Sequence, residues 1–173
     1  DLQCEEIAPA DIIGECMKLT RGKAHEGKLR LHCDLAPGLP SLMVDRLRFK
    51  QALLNLCSNA IKFTPPGGHV HIMADQDDDG RFVLTVRDTG IGMSAEQIPV
   101  ALEPFRQIAS PFARNTEGTG LGLSVVHGIV HDHGGHLRLN TAPGRGSSFA
   151  VWLPCSRATA SGAAAVAAAP AAA

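Results

Sequence analysis

The spacing of hydrophobic positions changes repeatedly along the chain, and each change predicts a new element. Helical spacing covers 10–24, 46–63 and 121–133, with a shorter helix at 94–102. Alternation typical of half-buried strands covers 29–35, 69–75, 81–88, 136–141 and 147–154, with a short strand at 42–44. Most strands are neighbours in sequence, so we expect an α+β fold: a two-layer sandwich with a mixed, mainly antiparallel sheet and helices on one face. The other face is expected to be a groove wall or a partner surface.

The chain has the length of one domain followed by a short tail. Hydrophobic residues make up 45 % of its 173 positions and charged residues 19 %, which is typical of a globular protein. From residue 158 onward the sequence is almost entirely alanine, with no apolar face to bury. We therefore expect a folded domain over 1–157 and a mostly disordered tail over 158–173.

Charge and cysteine content exclude several classes of protein. The net charge is −1 with no block of Lys or Arg, which argues against nucleic acid as a partner. The five cysteines are widely spaced and lack a CxxC motif, as expected of structural thiols in a reducing compartment. No apolar run reaches about 18 residues and no signal peptide opens the sequence, so we predict a cytoplasmic chain.

Asp45 is a candidate N-cap for the helix over 46–63, and the prolines and glycines at 65–68 should end it. This helix carries an unusual polar face. At 100° per residue, Gln51, Asn55, Asn59 and Lys62 fall within about 80° of arc. Asparagine is a poor helix former, and solvated faces more often carry Glu and Lys. Amide oxygens beside one positive charge suit Mg²⁺ with phosphate, although the stripe alone is equally consistent with a solvated face.

Two glycine-rich stretches add to this pattern. Asp88 ends a predicted strand and is followed by Gly90 and Gly92, which allow a sharp turn or a close approach to a ligand; a capped structural turn is the alternative. Residues 118–123, GTGLGL, precede a helix whose free N–H groups would attract an anion; a hinge or tight packing is the alternative. Nucleotide binding explains the polar helix face and both glycine stretches together.

Five stretches in this order resemble the N, G1, F, G2 and G3 boxes of a known family. They are QALLNLCSNAIKFT, VRDTGIG, EPFRQ, GTGLGLSVV and PGRGSSF. The chain resembles, from about residue 9 to 154, the catalytic ATP-binding domain of bacterial two-component sensor histidine kinases, in the superfamily shared with gyrase, Hsp90 and MutL. The resemblance implies the Bergerat-type ATP-binding fold, with ATP and Mg²⁺ as cofactors.

The resemblance also implies individual roles. Asn59 would ligate Mg²⁺, while Asn55 and Lys62 would contact the triphosphate. Phe63 would lie against adenine, and Asp88 would accept a hydrogen bond from the exocyclic amine. The other implied nucleotide-binding residues are Gly90, Gly92, Phe105, Gly118, Thr119, Gly120, Leu121 and Gly122.

The implied chemistry is phosphoryl transfer rather than hydrolysis. Where hydrolysing relatives have a glutamate that activates water, this chain has Asn55, and an amide cannot act as a general base. Residues 106–117 would form a lid, which we expect to be mobile without nucleotide. Many family members have an arginine where Gln107 stands, so we expect Arg106 or Arg114 to supply the lid's positive charge. The implied catalytic residues are Asn55, Lys62 and Arg106.

The phosphoacceptor is expected outside this chain. His25 and Glu26 begin like a phosphoacceptor box, but the expected Thr-Pro does not follow. We expect the dimerising helices with the acceptor histidine to lie before Asp1, so that this chain binds ATP as a monomer without phosphorylating itself. A response regulator would be the indirect partner, and a membrane anchor in the parent protein is left open.

Four histidines invite a metal-site interpretation, which we disfavour. His127 and His131 are one helical turn apart, with His133 and His136 nearby, but no acid or cysteine completes a zinc pattern. His133, followed by two glycines, is instead expected to end the helix.

Two alternative functions remain open. One is an ATPase or a Ser/Thr kinase of the same superfamily; Asn55 disfavours the ATPase, and a long lid with an F box disfavours the Ser/Thr kinase. The other is a non-catalytic nucleotide-binding or interaction module, which Gln107 favours and the intact Asn59 and Asp88 disfavour.

Overall fold

Seven strands and four helices form along the residues that the computed structural model describes, 1–104 and 122–155. In chain order they are β1 (Cys4–Ile7), α1 (Pro9–Glu26), β2 (Arg30–Leu35), β3 (Leu42–Asp45), α2 (Arg46–Lys62), β4 (His69–Gln76), β5 (Phe82–Asp88), α3 (Gln97–Leu102), α4 (Gly122–Asp132), β6 (His136–Thr141) and β7 (Ser147–Leu153). Each element predicted from the hydrophobic pattern is present.

The structure differs from the predicted elements in two places. Strand β1 was not predicted, because two of its four residues are glutamates; it pairs with β3, where Ile7 lies opposite Leu42. Helix α3 begins three residues later than predicted. Its first turn is replaced by a tight turn, in which the Gln97 N–H donates to the Ser94 carbonyl at 3.0 Å.

The main sheet has five strands in the order β2-β4-β5-β7-β6. Strands β2 and β4 are parallel, and the other three pairs are antiparallel. Helix α2 lies in the crossover connection that the parallel pair requires. The sheet is therefore mixed and mainly antiparallel, as predicted.

The hydrophobic core lies between one face of this sheet and helices α1, α2 and α4. Along β4 and β5 every second side chain is buried in the core, beginning with Val70 and Phe82. The largest fully buried side chains are Phe82, Ile12, Ile13, Leu42, Leu53, Leu56, Ile72 and Leu84. The described residues leave the opposite, outer face uncovered; it carries His32, His69, His71, Arg87 and Arg138.

Other predictions concern the thiols, the membrane and the domain boundary. The five cysteines are free, with Cys16 and Cys57 buried in the core. Within the described ranges no helix is long and apolar enough to cross a membrane. The alanine-rich tail lies outside the described residues, so the boundary at residue 157 stays a prediction.

Candidate functional site

The polar face of α2 meets the beginning of α4. The amide nitrogen Nδ2 of Asn55 donates a hydrogen bond to the Gly122 carbonyl, with the two atoms 3.4 Å apart. A Cβ atom added to Gly122 would lie 3.6 Å from Nδ2 and 3.9 Å from Oδ1 of Asn59. Asn55 and Gly122 are 67 residues apart in sequence. Their hydrogen bond therefore places two distant stretches of the chain side by side.

Side chains at both ends of α2 make local interactions. Asp45 is the N-cap predicted from the sequence, and its carboxylate accepts a hydrogen bond from the Arg48 N–H at 3.2 Å. This bond and one from the Gln3 N–H hold the pKa of Asp45 below its usual value. At the other end, the Lys62 ammonium lies 5.2 Å from the centre of the Phe63 ring, which places one positive charge beside one aromatic face.

Asp88 ends β5 as a buried carboxylate, with 6 % of the residue exposed. Its Oδ1 accepts hydrogen bonds from the Gly90 N–H at 2.8 Å and from the Ser147 N–H at 3.2 Å. Burial raises the pKa of this carboxyl, and the two backbone hydrogen bonds oppose the rise. Both bonds go to Oδ1, so the described residues leave Oδ2 available as an acceptor.

The glycines after Asp88 allow protein backbones to come together. A Cβ on Gly90 would lie 2.5 Å from the Phe63 carbonyl oxygen, at the end of α2. Gly92 has φ +66°, and a Cβ there would lie 1.9 Å from the Ala142 carbonyl oxygen. The sequence allowed a sharp turn, a close approach to a ligand, or a capped structural turn at these glycines. The structure shows that protein backbone takes the space each glycine leaves, which fixes the loop that carries Asp88.

Sequence reasoning missed two residues that support Asp88. A Cβ on Gly146 would lie 2.0 Å from the Asp88 carbonyl oxygen, and Ser147 donates to the Asp88 carboxylate. Both belong to the PGRGSSF stretch, for which the sequence indicated no specific contact. The glycines of that turn were the available signal, because they permit such a close approach.

Part of the predicted site lies outside the described residues. This applies to Phe105, Arg106, the lid over 106–117, and the residues Gly118, Thr119, Gly120 and Leu121. The structure describes the final glycine of that motif, Gly122, as the first residue of α4.

The four histidines near α4 have separate surroundings. His133 donates through Nδ1 to the Ile129 carbonyl at 2.7 Å and accepts through Nε2 from the Asp45 N–H at 3.0 Å. The His136 ring stacks on Trp152, with ring centres 4.7 Å apart. His127 and His131 are exposed on α4.

The described side chains fit a magnesium-bound nucleotide. Asn55 and Asn59 offer neutral amide groups beside the start of α4, Lys62 offers a positive charge, and the buried Asp88 keeps one oxygen available. Among the described residues no three His, Cys, Asp or Glu side chains form a metal cage. A hard cation held here would depend on amide oxygen, phosphate and water, the ligand set that Mg²⁺ accepts.

A family model described as "Histidine kinase-, DNA gyrase B-, and HSP90-like ATPase" matches residues 44–157. The chain belongs to this family. The match begins just before α2 and includes Asn55, Asn59, Asp88 and Gly122, so it confirms the predicted resemblance.

Relatives of this chain within the histidine kinase-like ATPase family are much longer proteins. The chain is 38 % identical over 157 residues to the non-motile and phage-resistance protein of Caulobacter vibrioides, covering 89 % of this chain and 18 % of that protein. It is 35 % identical over 165 residues to the cell-division control histidine kinase PdhS of Brucella canis, covering 91 % of this chain and 16 % of PdhS. The chain thus spans less than a fifth of each.

Solved structures of histidine kinases share the fold. Full-length ShkA in complex with AMPPNP matches with a TM-score of 0.77 and 29 % identity, over 90 % of this chain and 32 % of ShkA. The mycobacterial sensor histidine kinase MprB matches with a TM-score of 0.76 and 28 % identity, over 87 % of this chain and 98 % of the MprB chain. These matches confirm the predicted fold of the family.

Proposed function

We propose that this chain binds Mg-ATP between α2 and the start of α4 and presents the γ-phosphate to a histidine of a phosphoacceptor domain outside this chain. The observation that carries the proposal is the hydrogen bond from Asn55 to Gly122, with the Asn59 amide facing the space beside that glycine. It joins an amide-bearing helix face to the N-terminus of a second helix, where backbone N–H groups favour phosphate.

Asp88 would recognise the adenine end of the nucleotide. Its available Oδ2 can accept a hydrogen bond from the exocyclic amine of adenine. Guanine presents a carbonyl oxygen at that position, which a carboxylate repels. The packed loop through Gly90 and Gly92 would hold the carboxylate in place, and Phe63 would cover one face of the base.

The α2 amides and Lys62 would hold the phosphate end. Asn59 would supply an oxygen ligand for Mg²⁺, and Asn55 and Lys62 would contact the triphosphate. Bound Mg²⁺ would neutralise charge on the phosphate oxygens. Because the Asn55 amide cannot take a proton from water, this chain should hold ATP with little hydrolysis until an acceptor arrives.

The remaining assignments rest on the family resemblance. Residues 118–121 would cradle the phosphates, and Phe105 would anchor a lid over 106–117 whose Arg106 stabilises the transferred group. The partner would be the dimerisation and phosphoacceptor helices of the parent kinase, which would act in the cytoplasm and pass the phosphoryl group to a response regulator. The ATP-binding domain itself would be monomeric.

Calorimetric titration of the 173-residue chain with nucleotide and Mg²⁺ tests the binding site. We expect ATP to bind with about −5 to −8 kcal/mol and GTP to give no signal. Asn59→Ala should weaken ATP binding at least about tenfold. Gln51→Ala, on the same face of α2 but two turns earlier, is the matched control and should bind normally. Absence of ATP binding would contradict the proposal and favour the interaction module.

Phosphotransfer needs a separate experiment. The chain is incubated with Mg-ATP alone and with the phosphoacceptor helices of a homologous histidine kinase, and acid-labile phosphohistidine is measured. We expect phosphohistidine only in the mixture, and none when the Asn59→Ala variant is used. Release of inorganic phosphate at the same rate with and without the helices would instead indicate an ATPase.

A further inference from the structure

Three histidines lie together on the outer face of the sheet. Asp88, which is assigned to the nucleotide, is paired with Val70 of β4 and lies on the opposite, buried face. The parallel register of β2 and β4 places Arg30 beside His69 and His32 beside His71. The alternate residues Val70 and Ile72 are buried under the helices, so His69 and His71 belong to the outer face. We call His32, His69, His71 and the adjoining Asp34 the histidine cluster.

His32 and His69 are arranged as a chelating pair. Nε2 of His32 and Nδ1 of His69 are 2.9 Å apart, and the two rings are inclined by only 13°. One of these nitrogens donates the proton that the other accepts, so the two nitrogens face each other across a short gap. Two imidazole nitrogens bound at about 2.05 Å to one ion lie about 2.9 Å apart at a 90° angle and about 3.3 Å apart in a tetrahedral site. The observed separation therefore suits two ligands of one metal ion, once the shared proton is lost and the two exposed rings turn toward the ion.

His71 and Asp34 extend this pair. The His71 ring centre is 5.5 Å from that of His32, and its Nε2 is hydrogen-bonded to the Asp34 carboxylate. Metal-binding histidines commonly have such a carboxylate partner, which fixes the tautomer and orients the ring. A neutral His71 that donates from Nε2 to Asp34 carries its lone pair on Nδ1.

The cluster is a two-ligand site that a third ligand can complete. As the side chains stand, the described residues contain no convergent group of three His, Cys, Asp or Glu. The His71 side chain is 35 % exposed, so it can rotate without disturbing the core. Water would occupy the remaining positions, as exposed bis-imidazole sites require.

We infer that the His32–His69 pair binds a divalent transition metal ion of borderline softness, with His71 as the third ligand. Imidazole favours Zn²⁺, Ni²⁺ and Cu²⁺, whereas Mg²⁺ prefers oxygen. The inference is independent of the proposed ATP site, because it uses other residues and another class of metal. The ion would join β2, an edge strand of the sheet, to β4 through side chains as well as backbone.

Zinc titration of the 173-residue chain tests the inference. The protein is freed of any polyhistidine tag, kept reduced, and titrated with Zn²⁺ at pH 7.5 without nucleotide. We expect one ion per chain, with binding unaffected by millimolar Mg²⁺ and weakened at pH 5.5, because only neutral imidazole ligates a metal. His32→Ala and His69→Ala should each weaken binding at least about tenfold, and His71→Ala about three- to tenfold.

Other ligands on the chain provide matched controls. His127 and His131 are exposed one turn apart on α4 and form a rival pair, and Cys33 presents a rival thiol in β2. His127→Ala and Cys33→Ser should leave the zinc affinity within about twofold of the unmodified chain. His32→Gln, which keeps a polar side chain without an imidazole, should behave like His32→Ala.

The outcome is decisive in either direction. The substituted histidines are on the surface, so melting curves in EDTA should match the unmodified chain and show that each variant is folded. Absence of saturable zinc binding would overturn the inference. So would binding that survives the loss of both His32 and His69, or that disappears in His127→Ala or Cys33→Ser.

Discussion

The Asp88 carboxylate is buried, but only one of its oxygens receives hydrogen bonds from the described residues. Burial raises its pKa, so the folded state favours the protonated form more than the unfolded state does. The contribution of this group to stability is therefore greatest in acid and is lost as the pH rises through its pKa in the folded protein. A buried carboxyl group with a raised pKa and an available acceptor oxygen is typical of a binding group.

Replacing Asp88 by asparagine should separate stability from recognition. The amide oxygen can still accept from Gly90 and Ser147, so the amide NH₂ must take the place of Oδ2. We expect the free energy of unfolding at pH 7 to stay the same or rise by up to about 1 kcal/mol, because no charge is buried. ATP binding should weaken at least about tenfold, since two donors then face each other.

Nucleotide titration and urea denaturation of the same variant check this prediction. Inosine triphosphate presents a carbonyl oxygen where ATP has its amine, so the preference for ATP over the inosine nucleotide should shrink or reverse in Asp88→Asn. An unchanged preference, in a variant as stable as the unmodified chain, would show that Asp88 does not contact the base.

Helix α4 is joined to α2 near both of its own ends, although the two helices are distant in sequence. At one end Asn55 contacts Gly122, and at the other His133 accepts a hydrogen bond from the Asp45 N–H. The second imidazole nitrogen of His133 donates to Ile129, which fixes the tautomer. The C-terminal end of α4 is thereby held at the N-cap of α2, and the separation of the two helices is set at two points.

His133→Ala should loosen this connection. The Asp45 N–H would lose its acceptor in a partly buried position, which costs about 1–3 kcal/mol of unfolding free energy. His131→Ala is the matched control on α4: its side chain is 81 % exposed, and its removal should change stability by less than about 0.5 kcal/mol. Urea denaturation measures both; equal effects of the two substitutions would contradict the role given to His133.

The elements that could be predicted are those with a local signal. Helix α2 showed helical spacing, an acidic N-cap at Asp45 and a proline-glycine end, and it forms as predicted. Strand β1 has four residues with two glutamates and depends on β3 for its pairing, so its own sequence contains no strand pattern. Local spacing thus predicts helices and long strands, while a short edge pair requires knowledge of the tertiary structure.

The candidate site shows the same difference between features with a local sequence signal and features that depend on distant contacts. Asn59 and Asp88 could be proposed as site residues because each belongs to a recognisable stretch. The support for Asp88 comes from Ser147, 59 residues later, and the partner of the Asp45 N–H is His133, 88 residues later. Contacts across such separations leave no periodicity in the sequence, so they could not be predicted from it.

Across the whole molecule, charge pairs attach the first helix to the rest of the helical layer. The Glu15 carboxylate on α1 contacts Arg46 and lies 3.1 Å from the Lys50 ammonium, both on α2. The hydrogen bond from Lys50 and the two positive charges lower the pKa of Glu15. Because the pKa is lower in the folded protein, this contribution to stability is complete above the ordinary carboxyl pKa and is lost as the pH falls through the lowered value.

Acid should therefore lower the free energy of unfolding, partly through protonation of Glu15. We expect Glu15→Gln to have a lower urea midpoint than the unmodified chain at pH 6, and the difference to shrink steadily as the pH falls below the ordinary carboxyl pKa. Glu26→Gln, at the exposed end of the same helix, should follow the unmodified curve throughout. A constant difference between Glu15→Gln and the unmodified chain at every pH would mean that charge at Glu15 is not the cause.

The position of β7 has a consequence for synthesis on the ribosome. It is the final strand described along the chain, yet it lies between β5 and β6 within the sheet. Until the residues after 146 have left the ribosome, β6 has no neighbouring strand and Asp88 lacks the donor at Ser147. The first strands can pair earlier, but the nascent chain acquires the proposed ability to hold a nucleotide only when the domain is complete.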